Sequence, residues 1–134
     1  MTTHPLSRAR LPGCDLAVAD QAAVTAYLEA SQDPNPLHRD VDLARQAGFA
    51  NVLMPGMLVL GQMAEVLARW PACGRITGLM GRFVEPVILG SRLRFEGRVV
   101  ALTPEGRVVL RLTAGQGRRY KVIAEAVIDA QSPR

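Results

Sequence analysis

Along the chain's 134 residues the apolar positions change period once. Up to about Arg69 they recur at helical spacing between loops; from about Ile76 they alternate as in strands. Asp20 is placed to cap a helix running to about Ala30, with Val24, Tyr27 and Leu28 on one face. A polar, proline-rich loop follows from Ser31 to His38, and Asp40 then caps a short helix of residues 42–47. The helix opening after Pro55-Gly56 and running over about residues 57–69 is apolar nearly all round. Only Gln62, Glu65 and Arg69 form a polar stripe on it. Such a helix either spans a membrane or lies in a core, and it falls well short of the roughly 20 residues that a span needs. The pattern predicts a buried helix.

In the second half, Leu93, Phe95, Gly97 and Val99 alternate with Arg92, Arg94, Glu96 and Arg98. Val108, Leu110 and Leu112 form a second alternating run, and Val122, Ala124, Ala126 and Ile128 a third. Pro104-Glu105-Gly106 and Gly115-Gln116-Gly117 are turn signals between them, so the strands read as an antiparallel meander. The expected architecture is α+β: one domain over residues 1–134, with a twisted antiparallel sheet wrapped around one long buried helix at about 57–69.

Composition narrows the possibilities. Aromatics make up 4% of the chain, so the core must be built from aliphatic side chains and methionine. Residues 1–10 are polar and basic and read as a flexible tail, with His4 a tail residue. The net charge is +4, carried by fifteen arginines and one lysine. The arginines are scattered rather than clustered with stacking aromatics, which argues against nucleic acid. A modest positive field suits a phosphate-bearing small ligand instead. Cys14 and Cys73 lack CxxC spacing, so neither a disulfide framework nor a zinc site is expected. With no signal peptide and no membrane-length apolar run, the chain reads as soluble and cytoplasmic.

Three segments carry a family resemblance. Asp33-Pro34-Asn35-Pro36-Leu37-His38, followed by Asp40, Ala44 and Gly48-Phe49, resembles the hydratase motif of MaoC-like dehydratases, D-x-N-P-x-H then D, A and G-F. Pro55-Gly56-Met57-Leu58 resembles the H-G-M-L that opens the family's central helix, and Arg82-Phe83-Val84-Glu85-Pro86-Val87 with Gly90 resembles its R-F-x-x-P-V…G segment. Two positions depart: Gln32 replaces the Gly that usually precedes the catalytic Asp, and Pro55 replaces the frequent His. The resemblance implies a hot-dog fold. It also implies (R)-specific hydration of a trans-2-enoyl thioester, or the reverse, by Asp33 and His38.

That reaction needs a water made nucleophilic at Cβ, a proton delivered at Cα, and stabilisation of charge on the thioester oxygen. One carboxylate and one imidazole holding the same water can do the first two. Pro34 and Pro36 stiffen the loop between Asp33 and His38. The Gly56 amide, at a helix N-terminus, is the candidate for the third. Without the resemblance, Asp33 reads as a turn residue and His38 as a partly buried histidine. Asn35, Met57 and Arg82 are candidates for substrate contact, although Asn35 reads equally as loop scaffolding and Met57 as core. Arg92 and Arg94 join Arg82 as candidates for coenzyme A phosphates. No metal is expected, since one His and one Asp fall short of the usual ligand set. No cofactor is expected beyond coenzyme A as part of the substrate.

Two other functions fit a fold of this kind. One is an acyl-CoA thioesterase, whose carboxylate would lie on or beside the central helix, where Glu65 is the acidic residue. The other is a non-catalytic acyl-binding partner subunit, against which the retention of Asp33 and His38 argues. The expected partners are an acyl-CoA or acyl-carrier-protein thioester and, in a homodimer, a second copy of the chain. The small core, an edge strand needing protection and the dimers usual among similar proteins point to that homodimer.

Overall fold

A computed structural model describes residues 4–16 and 19–131. Strand β1 (Cys14–Asp15) is followed by helix α1 (Gln21–Ser31), a 3₁₀ turn (Pro36–His38) and the short helix α2 (Val41–Gln46). Helix α3 (Gly56–Ala68) comes next, then four long strands: β2 (Cys73–Phe83), β3 (Arg94–Leu102), β4 (Val108–Gln116) and β5 (Arg119–Ala130). They form one antiparallel sheet in the order β1-β3-β4-β5-β2.

The alternation that predicts the strands sorts their faces as expected. Phe95, Leu110, Leu112, Ala126 and Ile128 are fully buried on the face turned toward α3. In an antiparallel pair, residues directly opposite share a face. Leu79, Gly81 and Phe83 stand opposite Ala126, Ala124 and Val122, so they too face α3. Arg82, opposite Ile123, faces the other way.

Helix α3 lays Val59, Leu60, Met63 and Leu67 into this surface, all buried. Leu60 sits so close to the backbone of β2 that a Cβ at Gly81 would come within 2.9 Å of it. The long helix is buried on its sheet side, as expected, and exposed over a wider strip than its polar residues mark. A single sheet covers one face of α3, and Met57, Gly61, Glu65 and Ala68 on the other face are exposed. Glu65 and Arg69 form an ion pair there.

Within the segment expected as a tail, described residues make contact with the sheet. Val99 N–H donates to the Ala9 carbonyl at 2.8 Å and Leu11 N–H to the Gly97 carbonyl at 2.9 Å, so this segment lines the open edge of β3. Leu6 and Ala9 pack against the core. Backbone pairing and apolar burial outweigh the polar composition that suggests fraying. Among the described residues, no helix is long and apolar enough to cross a membrane.

Both expected helix caps form. Asp20 accepts from the Ala23 amide at 2.8 Å, and Asp40 accepts from the Asp42 and Leu43 amides at 3.0 and 3.1 Å. Helix α1 ends at Gln32, which adopts the left-handed conformation (φ 55°, ψ 35°) and donates its N–H to Leu28 O. A non-glycine residue there costs about 1–2 kcal/mol, offset by the roughly 0.4–1 kcal/mol that glycine loses in the unfolded chain. Gln32→Gly is therefore expected to raise the melting temperature by a few degrees. A thermal melt that is unchanged or lower would show that this position carries no strain.

Candidate active site

Asp33 and His38 meet because three short segments converge beside the N-terminus of α3. The end of α1 delivers Asp33, whose Oδ1 accepts from the Asn35 amide at 3.0 Å. Asn35 in turn caps the 3₁₀ turn, its Oδ1 accepting from the Leu37 amide at 3.0 Å. Arg39 donates to the Asp33 carbonyl at 3.2 Å and ties the loop's two ends together.

The third segment, residues 52–54, fixes the imidazole. Leu53 N–H donates to the Leu37 carbonyl at 2.9 Å, and the Leu53 carbonyl lies 2.7 Å from His38 Nδ1. A carbonyl can only accept, so Nδ1 carries the proton, and Nε2 of the neutral ring is left as an acceptor. Nε2 is 3.5 Å from Asp33 Oδ2. His38 is 12% exposed and Asp33 33%. An ionised carboxylate and an unprotonated Nε2 are both acceptors and cannot bond one another directly. Two acceptors at this separation can accept the two O–H groups of a single water, leaving that oxygen's lone pairs outward.

Both side chains open into a cleft of about 370 Å³, lined also by Tyr27, Leu53, Gly56, Met57, Phe83 and Val122. At its edge α3 begins. Leu58 and Val59 both donate to the Pro55 carbonyl, at 3.1 and 3.3 Å. The Gly56 and Met57 amides, in the first turn, have no intrahelical acceptor. Phe83 explains the glycine: a Cβ on residue 56 would stand 2.8 Å from two atoms of its ring. The wall formed by residues 83–87 is anchored by Glu85, whose carboxylate bonds Lys121 Nζ at 2.9 Å and Arg119 Nη2 at 2.7 Å. Hydrogen bonding from Lys121 and then Arg119 holds the Glu85 carboxyl below the ordinary glutamate range.

Asp33, His38, Gly56 and Met57 are thus brought together as the sequence predicts. Asn35 and Arg82 are not. Asn35 spends its side-chain oxygen on the loop and does not line the cleft. Arg82 lies on the sheet face turned away from α3, as Arg94 does opposite Gly115, since side chains alternate along a strand. Glu65, the candidate carboxylate of a thioesterase, is about two and a half turns into α3, outside the cleft and paired with Arg69. Tyr27, Phe83, Glu85 and the Leu53 carbonyl have no assigned role in the sequence. Phe83 and Glu85 lie within the R-F-x-x-P-V segment and Tyr27 on a predicted core face, while a backbone carbonyl leaves no side-chain signal. Among the described residues no cluster of three or more His, Cys, Asp or Glu could hold a metal. A larger cleft of about 700 Å³ opens at the other end of the sheet, but its Asp129 is already paired with Arg75 and Arg107.

Residues 3–115 match the family model of the MaoC like domain. The chain belongs to the MaoC-like family. It is 33% identical over 112 residues to the (R)-specific enoyl-CoA hydratase of Aeromonas caviae, covering 80% of this chain and 83% of that one. It is 36% identical over 80 residues to a mitochondrial 3-hydroxyacyl-[acyl-carrier-protein] dehydratase of Arabidopsis thaliana. That match covers 59% of this chain and 48% of the relative, so the chain spans about half the length of the plant enzyme. The solved (R)-hydratase of A. caviae superposes with a TM-score of 0.78 over 91% of this chain and 94% of that one, at 25% identity. The fold is the hot dog of MaoC-like hydratases.

Gly56→Ala tests the contact at the helix start. The added methyl must displace the Phe83 ring, and overpacking of this kind costs about 1–3 kcal/mol, more than a first-turn alanine returns. The midpoint of denaturant unfolding is expected to fall. An unchanged midpoint would mean that the ring moves aside freely.

Proposed function

We propose that this protein hydrates a trans-2-enoyl thioester to the (R)-3-hydroxyacyl thioester, or catalyses the reverse dehydration, through one water held by Asp33 and His38. The observation that carries this reading is the convergence of Asp33 Oδ2 and His38 Nε2, 3.5 Å apart, in one cleft, with Nδ1 on the Leu53 carbonyl. As the water oxygen attacks Cβ, the pair takes up one of its protons and returns a proton at Cα. Atoms balance without any other reactant. The charge that develops on the thioester oxygen is met by the Gly56 amide, where the helix dipole adds to the hydrogen bond. Coenzyme A or an acyl carrier protein enters as the substrate's carrier, in line with the names of the relatives, and no cofactor is called for.

Incubation with crotonyl-CoA distinguishes the readings. Loss of the conjugated enoyl absorbance without thiol release supports hydration; thiol release indicates a thioesterase; neither indicates an acyl-binding subunit. General acid–base groups contribute about 10²–10⁴-fold, so Asp33→Asn and His38→Gln are each expected to lower kcat by that order with KM little changed. Because both groups serve one water, the double variant should be scarcely worse than either single. Full activity in either single variant overturns the assignment.

The same reading includes a homodimer. Strand β2 is an edge strand of 11 residues, and Met57, Leu79, Met80, Phe83 and Val84 are exposed along and beside it, Met80 at 70%. A long apolar edge of this kind needs cover, and two copies of β2 related by a twofold axis would supply it. Met57, Phe83 and Val84 also line the cleft, so the second copy would border the site. Sedimentation is expected to give twice the chain mass. A stable monomer at micromolar concentration overturns this part.

A further inference from the structure

We propose that Glu85 is a positioning residue for His38, holding the imidazole in its Nδ1–H tautomer through the chain of contacts that leads to the Leu53 carbonyl. The proposal deepens the hydratase reading, since it takes His38 Nε2 as a working acceptor.

The contacts run in one line. The Leu53 carbonyl fixes the His38 ring at 2.7 Å. Leu53 is itself held by pairing between residues 52–54 and 87–89: Met54 N–H donates to Val87 O at 2.7 Å, Leu89 N–H donates to Val52 O at 3.0 Å, and Leu53 bridges Ile88. These bonds connect two irregular segments, so their position depends on what anchors one of them to the sheet. Residues 84 and 85 provide that anchor. Both their amides donate to the Lys121 carbonyl on β5, at 2.8 and 3.3 Å. Residue 86 is proline, which has no N–H to continue the pairing.

Glu85 is therefore the last residue tied to β5 before the chain turns toward Leu53, and its side chain supplies what the backbone lacks there. One carboxylate oxygen takes Lys121 Nζ at 2.9 Å; the other takes Arg119 Nε at 2.9 Å and Nη2 at 2.7 Å. The Glu85 and Lys121 side chains are 25% and 17% exposed, while Arg119 is 74% exposed, so Lys121 is the better-shielded arm of the clamp. This clamp fixes the direction in which residues 86–89 leave the sheet. The ladder transmits that direction to Leu53, and Leu53 to the imidazole. An imidazole released from its carbonyl is free to move its proton to Nε2, which would then donate where the mechanism needs an acceptor.

The experiment is ¹H–¹⁵N NMR of the neutral imidazole, which distinguishes the tautomers directly. It is made in a His4→Gln background, since His4 and His38 are the two histidines of the chain. The parent is expected to show His38 with Nδ1 protonated. Glu85→Ala is expected to mix in the Nε2–H form and to lower kcat about tenfold or more, as misplacement of a reacting group does, with KM within about twofold. Glu85→Gln, which keeps one hydrogen bond, should fall between. Lys121→Met removes one arm of the clamp and is expected to shift the tautomer in the same direction; it decides the matter if Glu85→Ala does not fold. An unchanged Nδ1–H signal in a folded variant overturns the proposal whatever the activity. A shifted tautomer with unchanged kcat leaves the positioning role standing and counts against His38 in the reaction.

Discussion

The seating of α3 on the sheet decides where everything else in the site can be. Leu60 fits against β2 because residue 81 has no side chain, and a Cβ there would come within 2.9 Å of it. With Val59, Met63 and Leu67 locked on the same face, the helix has little freedom to slide, since close-packed interiors resist even a methylene's displacement. Its first turn is thereby set beside Phe83, at the end of the same strand. One apolar contact near the end of β2 thus helps to place the first turn of α3, with the Gly56 amide, beside the cleft. Packing comes first, and the polar geometry inherits its precision from it.

The site's polarity depends on where one proton sits. With Nδ1–H given to the Leu53 carbonyl, His38 offers a lone pair at Nε2, 3.5 Å from Asp33 Oδ2. The opposite tautomer would turn the pair into a direct hydrogen bond and consume both groups. In the Nδ1–H tautomer and beside a carboxylate, the two facing atoms are both acceptors, an arrangement that favours a bound water as donor. The imidazole is mostly buried, which limits competition from bulk solvent for its ring nitrogens.

Much of this is written in the sequence, and the part that is not has a physical reason. The alternation of Leu93, Phe95, Gly97 and Val99 identifies a half-buried strand because the pleat turns successive side chains to opposite faces. The motif around Asp33 and His38 is local, and proline stiffening keeps its parts close, so sequence proximity becomes spatial proximity. The exposed back of α3 follows a different rule. An all-round apolar helix reads as buried, but periodicity cannot tell whether cover comes from the same chain or from another copy. Residues 4–10 show the same limit from the other side: a polar segment gains order by lining the edge of β3, a long-range pairing that composition does not record. The arginines fail for a simpler cause. Arg82 and Arg94 flank inward residues and so must point away from the cleft, whereas Arg119 and Lys121 reach its wall only through their ion pairs with Glu85.

The two oxygens of Asp33 bring these threads together. The left-handed turn at Gln32 ends α1, with Gln32 and Asp33 both donating to Leu28 O, and this aims the next residue at the cleft rather than along the helix. Oδ1 then accepts from the Asn35 amide, a local bond of the kind that aspartate makes in many turns. That bond holds the carboxylate plane and leaves Oδ2 facing Nε2 of His38. The structural reading of Asp33 therefore does not compete with the proposed chemical one: one oxygen builds the loop and the other faces the imidazole. The strain at Gln32 belongs to the same arrangement. An unfavourable backbone conformation persists where surrounding bonds over-determine it, and here it lies one residue before the carboxylate whose direction it sets.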